Sequence, residues 1–112
     1  MEMPLSEIAD RFSILILKWI HGADVREELR EYSMRCIMDN SFFDLLKINS
    51  EIWELESDIR RGKEGTLSLE EVGIRAISIR DKNKERIRIK NEITKYVSNG
   101  FPEIKVNHAS QD

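Results

Sequence analysis

From Ser68 to about Asn99 the chain reads as one long helix, and polar residues interrupt the middle of its apolar stripe. Val72, Ala76, Ile79, Ile93 and Val97 recur at helical spacing. Asn83, Arg86 and Lys90 occupy the same stripe between them. The preceding helix repeats the pattern, with Leu45, Ile52 and Ile59 forming a seam that also holds Asn49 and Glu56. A polar group at a core position is costly unless it is paired. Any fold for this chain must bring a partner to these positions, from another helix, a second chain or a ligand.

The four helices expected from the pattern have recognisable ends. Helix 1 runs from about Glu7 to Ile20, with Ser6 as N-cap and Gly22 as a left-handed stop. It is apolar nearly all round. Ile8, Phe12, Leu15 and Trp19 make one stripe, and Ile14 and Leu17 make another that carries Asp10. Helix 2 starts at Asp24, which with Glu27 spells a capping box, and Val25, Leu29, Tyr32 and Cys36 mark its inner face. Asp39-Asn40-Ser41 interrupts it. Ser41 followed by Asp44 reads as a fresh start for helix 3, although a continuous kinked helix fits as well. In helix 3, Leu45, Ile48, Ile52, Leu55 and Ile59 alternate by three and four, the seam of bundle or coiled-coil packing, as far as about Arg61. Gly62 and Gly65 frame a turn. Ser68 with Glu71 is a second capping box, and Leu67 with Val72 a hydrophobic staple. Helix 4 ends near Asn99-Gly100. A competing hairpin over residues 77–89, from period-two alternation around Asp81-Lys82-Asn83-Lys84, is weaker than the helical stripe.

The expected fold is therefore all-α: an antiparallel bundle of three to four helices, two of them long. Residues 1–100 make one domain, and 101–112 a polar tail. At 112 residues the core is modest. The net charge of −3 gives no global case for nucleic acid or an anionic membrane. Locally, residues 24–71 are rich in acid and residues 75–95 rich in base. The single cysteine, Cys36, excludes a disulfide framework and a thiolate metal site and points to a reduced, cytoplasmic setting. Ile14-Leu15-Ile16-Leu17 is interrupted by Lys18 and is too short to span a bilayer.

Three stretches carry a resemblance. Glu7 to Lys18 looks like the opening helix, Asn49-Ser-Glu-Ile-Trp53-Glu54-Leu-Glu56-Ser-Asp58-Ile-Arg60 like the signature, and Lys82 to Ile93 like the closing helix of one family. That family comprises small all-helical proteins from bacteria and phages, catalogued only as a domain of unknown function. The segment from Asp24 to Phe43 is shorter than the helical hairpin usual there. The resemblance implies a helical bundle and implies no activity.

Candidate chemistry is sparse. Asp10, Asn49, Glu56, Asn83, Arg86 and Lys90 form a polar set that either fixes helix register or binds a phosphate or carboxylate through Arg86 and Lys90. Register is the favoured reading, with Glu56 and Asp10 as the expected partners of the two cations. Glu51, Glu54 and Asp58 could hold Mg²⁺ only if a second acidic helix faced them, and helix 4 is basic. Arg75, Arg80, Lys82, Lys84, Arg88 and Lys95 are spread around their helix without aromatic partners and better complement the acidic helices than nucleic acid. His21 and His108 belong to no triad or zinc pattern. No catalytic residue, metal or cofactor is expected. The sequence favours a non-enzymatic interaction or accessory protein forming a homodimer, with Phe12, Leu15, Trp19 and Trp53 as interface candidates. Its rivals are a small hydrolase or anion-binding protein using the polar set, and a nucleic-acid binder through helix 4.

Overall fold

A computed structural model of the chain describes residues 3–63 and 65–98, without the side chains of 63 and 96–98. The described residues form four helices: α1 Leu5–Ile20, α2 Arg26–Ser33, α3 Asn40–Lys63 and α4 Leu69–Ser98. Among the described residues there is no strand, so the hairpin alternative over 77–89 falls inside an unbroken α4. The all-α bundle with two long helices is the observed fold. The expected end of helix 4 at Asn99-Gly100, the tail from 101 onward and the side chain of Val97 lie outside the described residues.

Contact register gives the direction of each helix. Phe12 stacks on Phe42 and His21 on Trp53, so α1 and α3 run parallel. Glu51 meets Lys82 and Asp58 meets Arg75, so α4 returns antiparallel to α3. Asp10 meets Arg86 and Glu7 meets Lys90, so α4 is antiparallel to α1 as well. The short α2 packs on α1, and its Leu29 and Tyr32 reach the core. The two long helices thus form an antiparallel hairpin along which α1 lies parallel to α3.

Helix boundaries follow local chemistry, with three corrections to the expected caps. α1 begins at Leu5 rather than Glu7, because the Pro4 carbonyl already accepts from the Glu7 and Ile8 N–H groups, and Ser6 lies inside the helix. The Asp24–Glu27 box does not form; α2 starts at Arg26 after Val25, without a side-chain cap. Asp39, not Ser41, caps α3: its Oδ1 accepts from the Phe42 N–H at 3.0 Å. The break between α2 and α3 is therefore real. By contrast, the Ser68–Glu71 box is reciprocal, with Glu71 N–H to Ser68 Oγ at 3.1 Å and Ser68 N–H to Glu71 Oε1 at 2.9 Å. Gly22 takes the left-handed conformation after α1, at φ 98°. Gly62 is needed for a different reason: a Cβ there would stand 2.8 Å from Val72 Cγ2 and 3.2 Å from Leu67 Cβ.

The core lies where three helices overlap. Ala9 and Phe12 of α1, Phe42, Leu45, Ile48 and Ile52 of α3, and Ile89 and Ile93 of α4 form one buried cluster. Leu29, Tyr32 and Cys36 pack against it. Because α2 covers the flank of α1 turned away from the long helices, the all-round apolarity of α1 is largely satisfied within one chain. Beyond Trp53, no third helix among the described residues accompanies the α3–α4 hairpin. There Leu55, Ile59, Val72 and Ile79 are only half-buried, and Ala76 is exposed, contrary to its expected place on an inner stripe.

Candidate functional site

The polar residues on the apolar stripes converge where α1 crosses the α3–α4 seam. Asp10 sits at the centre, with its side chain 5% exposed. Arg86 grips it in two-pronged fashion: Nε donates to Oδ1 at 3.0 Å and Nη2 to Oδ2 at 2.6 Å. Asn49 donates through Nδ2 to Asp10 Oδ1 at 3.0 Å and to Ser13 Oγ at 2.7 Å. The Ser13 hydroxyl in turn donates to the Asp10 carbonyl at 2.7 Å. Lys90 Nζ reaches Glu7 Oε2 at 3.2 Å and stands 3.8 Å from Asp10 Oδ2. Two carboxylates thus face two cations, and the most buried of the four accepts several donors.

This arrangement tunes Asp10. Burial pushes its carboxyl pKa up, but hydrogen bonds from Arg86 and Asn49 and the charges of Arg86 and Lys90 outweigh burial and hold it below the ordinary carboxylate value. The hydrogen bond to Asp10 raises the Arg86 pKa against the opposing effect of burial. Asp10 is therefore an ionised acceptor with its lone pairs engaged, which unfits it for general-base work.

Of the six residues expected in the cluster, Asp10, Asn49, Arg86 and Lys90 are drawn into it. Asn83 is peripheral, 3.5 Å from Arg86 Nη1. Glu56 is exposed and makes no hydrogen bond or ion pair with either cation among the described residues, although its charge adds to those that raise the Arg86 pKa. It lines a shallow groove of about 240 Å³ with Asn49, Trp53, Asn83 and Arg86, and Ile14, Leu17 and Ile52 complete the wall. That is below the roughly 300–1,000 Å³ usual for ligand sites. Ser13 and Glu7 were missed. A single Ser on an apolar helix carries no signal of its own, and Glu7 lies a helical turn before Asp10 in a first turn where acids are common.

The interface candidates separate. Phe12 belongs to the intramolecular core, which corrects its placement at an interface. Leu15 lies in a groove between α1 and α2, beside Tyr32. Trp19 is 59% exposed. Trp53 is half-buried under His21, ring centroids 4.7 Å apart, and His21 Nδ1 donates to the Leu17 carbonyl at 2.8 Å.

The charged flanks pair across the hairpin. Glu51 takes Lys82 at 3.0 Å, and Asp58 takes Arg75 at 3.1 Å and also Arg61. Arg80 and Arg88 pair with acids of their own helix. Among the described residues, no three His, Cys, Asp or Glu side chains gather as a metal site, and no helix is long and apolar enough to cross a membrane. Comparison with family models, curated proteins and solved structures finds no match for this chain.

Proposed function

We propose that this chain is a non-enzymatic helical interaction protein, an accessory that docks another helical surface along the α3–α4 hairpin. The observation that carries this reading is the contrast between the hairpin's two faces. The face away from α1 is closed by Asp58–Arg75 and Glu51–Lys82. On the other face, the stripes that α1 covers in the body run on past its end. On α3 the stripe continues from Asn49 to Trp53, Glu56 and Arg60; on α4 it runs back from Arg86 to Asn83 and the exposed Ala76, bordered by Ile79, which packs on the core, and by Val72, which packs on Gly62. A helix lying in line with α1 would complete the seam in the manner of a coiled coil.

The polar cluster is read as a register lock between α1 and the long helices. An anion-binding role has less support, since Arg86 and Lys90 are already held by Asp10 and Glu7. A cytoplasmic setting fits a lone Cys36 whose thiol pKa is pushed up to about 11 by burial and the nearby charge of Asp39. Kinship with the small all-helical family of unknown function remains our reading of the three stretches quoted above, and adds no activity to the proposal.

The test is site-specific photo-crosslinking of the full chain in cells. A photoreactive residue at Ala76 should give protein adducts, and one at Ser78, on the ion-paired side, should give few. Adducts from Trp19 with none from Ala76 would move docking to helix 1 and overturn the assignment to the hairpin.

A further inference from the structure

We infer that the occupant of this open face is a second copy of the same chain, packed hairpin to hairpin about a twofold axis near residue 58 of α3. The inference rests on the docking reading above and adds the partner and the register.

The evidence for self-recognition is a charge pattern that complements itself. Glu56 and Arg60 lie four residues apart on the α3 stripe that continues from Asn49. Both are exposed. The long-range ion pairs of this stretch of α3 use Glu51 and Asp58 on the other side instead, and among the described residues the hydrogen bond of the Arg60 side chain goes to the Ser57 hydroxyl, at 3.0 Å. Within the described residues neither side chain makes a cross-helix ion pair; Glu56 acts on Arg86 only through its charge, across the groove they share. When two copies of α3 lie antiparallel, a pair at spacing four is matched by its own image: Glu56 of one copy meets Arg60 of the other, twice. Ala76 of each α4 then faces the centre of a four-helix bundle, with the half-buried edges of Val72 and Ile79 beside it. Ala76, exposed in the single chain at the middle of that stripe, would become its closest approach.

Size fixes the expected strength. The open hairpin offers about 15 Å of α3 and about 20 Å of α4, at 1.5 Å per residue. Such a face sits at or below the lower end of stable interfaces. The dimer is therefore reversible and dissociates on dilution. The α1 terminus, with His21 over Trp53, stops the partner from sliding further along the groove.

The experiment is sedimentation equilibrium of the full chain, from the low micromolar to the millimolar range, on four proteins: the natural chain, Glu56→Arg, Arg60→Glu, and the double exchange. Both positions are exposed, so unchanged melting curves will certify folding. The natural chain should show a monomer–dimer equilibrium. Each single change should weaken it about tenfold, since symmetry repeats every new like-charge contact. The double exchange should restore it. An equimolar mixture of the two single variants should form mixed dimers more tightly than either variant pairs with itself. A monomer at every concentration would overturn the second copy as occupant. Adducts from Ala76 to other proteins would then leave the docking reading standing, whereas their absence would end both. A dimer indifferent to all the exchanges would overturn the hairpin register.

Discussion

The body and the arm of this molecule are made from the same two long helices, yet they bury their seams to different depths. In the body α1 lies over residues 42–53 of α3 and 86–93 of α4. Phe42 and Leu45 are fully enclosed there, and Ile48, Ile52, Ile89 and Ile93 nearly so. In the arm, residues 54–63 and 69–82, no apolar side chain reaches that depth; Leu55, Ile59, Val72 and Ile79 are all half-buried. The sequence pattern is equally good in both halves. The difference teaches that periodicity specifies which face of a helix turns inward, while the number of helices present decides whether that face becomes a core.

The largest expected effect breaks the body. Replacing Arg86 by Met strands the buried Asp10 carboxylate and should destabilise by roughly 3–5 kcal/mol in urea unfolding. Replacing Arg86 and Asp10 together by apolar residues of similar size should recover much of that loss. A next comparison sets the two regions side by side. Leu45→Ala should cost about 2–5 kcal/mol, the range for an enclosed aliphatic. Ile59→Ala in the arm should cost clearly less, because that side chain is only partly buried. Equal losses would erase the distinction between body and arm.

The ionic lock gives the comparison a pH signature. The Asp10 pKa is lower in the folded chain than in the unfolded one, so its contribution is complete above the ordinary carboxylate pKa, near 3.9. It is lost as pH falls through the lower, folded value. Acid unfolding followed by circular dichroism should therefore steepen below about pH 4, and Asp10→Asn should flatten that limb. The smallest expected effect falls on the arm alone. Ser68→Ala removes the cap of α4 and should cost about 1 kcal/mol, with amide exchange speeding first at the start of α4 rather than in the body.

How far the fold was legible from sequence follows the same division. The Ser68–Glu71 box, the Gly22 stop and the α3 seam are local signals, and the structure keeps them because nothing distant competes. The Asp24–Glu27 box is also a local signal, but the chain turns at Val25 instead and the box does not form. Asp10, Asn49, Arg86 and Lys90 were legible as polar residues out of place on apolar stripes. Glu56 carried the same signal and proved exposed, because its status depends on where α1 stops along α3, which no residue of α3 records. Ile89 went unmarked for a similar reason: its alternating neighbours Arg86, Ile87 and Arg88 mimic period two, whereas burial selected Ile89 and left Ile87 54% exposed. Phe12 was read as surplus apolar surface because the ring it stacks on, Phe42 of α3, lies far along the chain and leaves no mark on α1 itself.

Amide hydrogen exchange across a concentration series tests the central claim most directly, that the arm is a seam awaiting a second helical surface while the body is complete. Exchange should slow with rising protein concentration in residues 54–62 and 72–80, and remain unchanged in residues 42–52 and 86–93. Protection in the arm that is independent of concentration and equal to that of the body would contradict it.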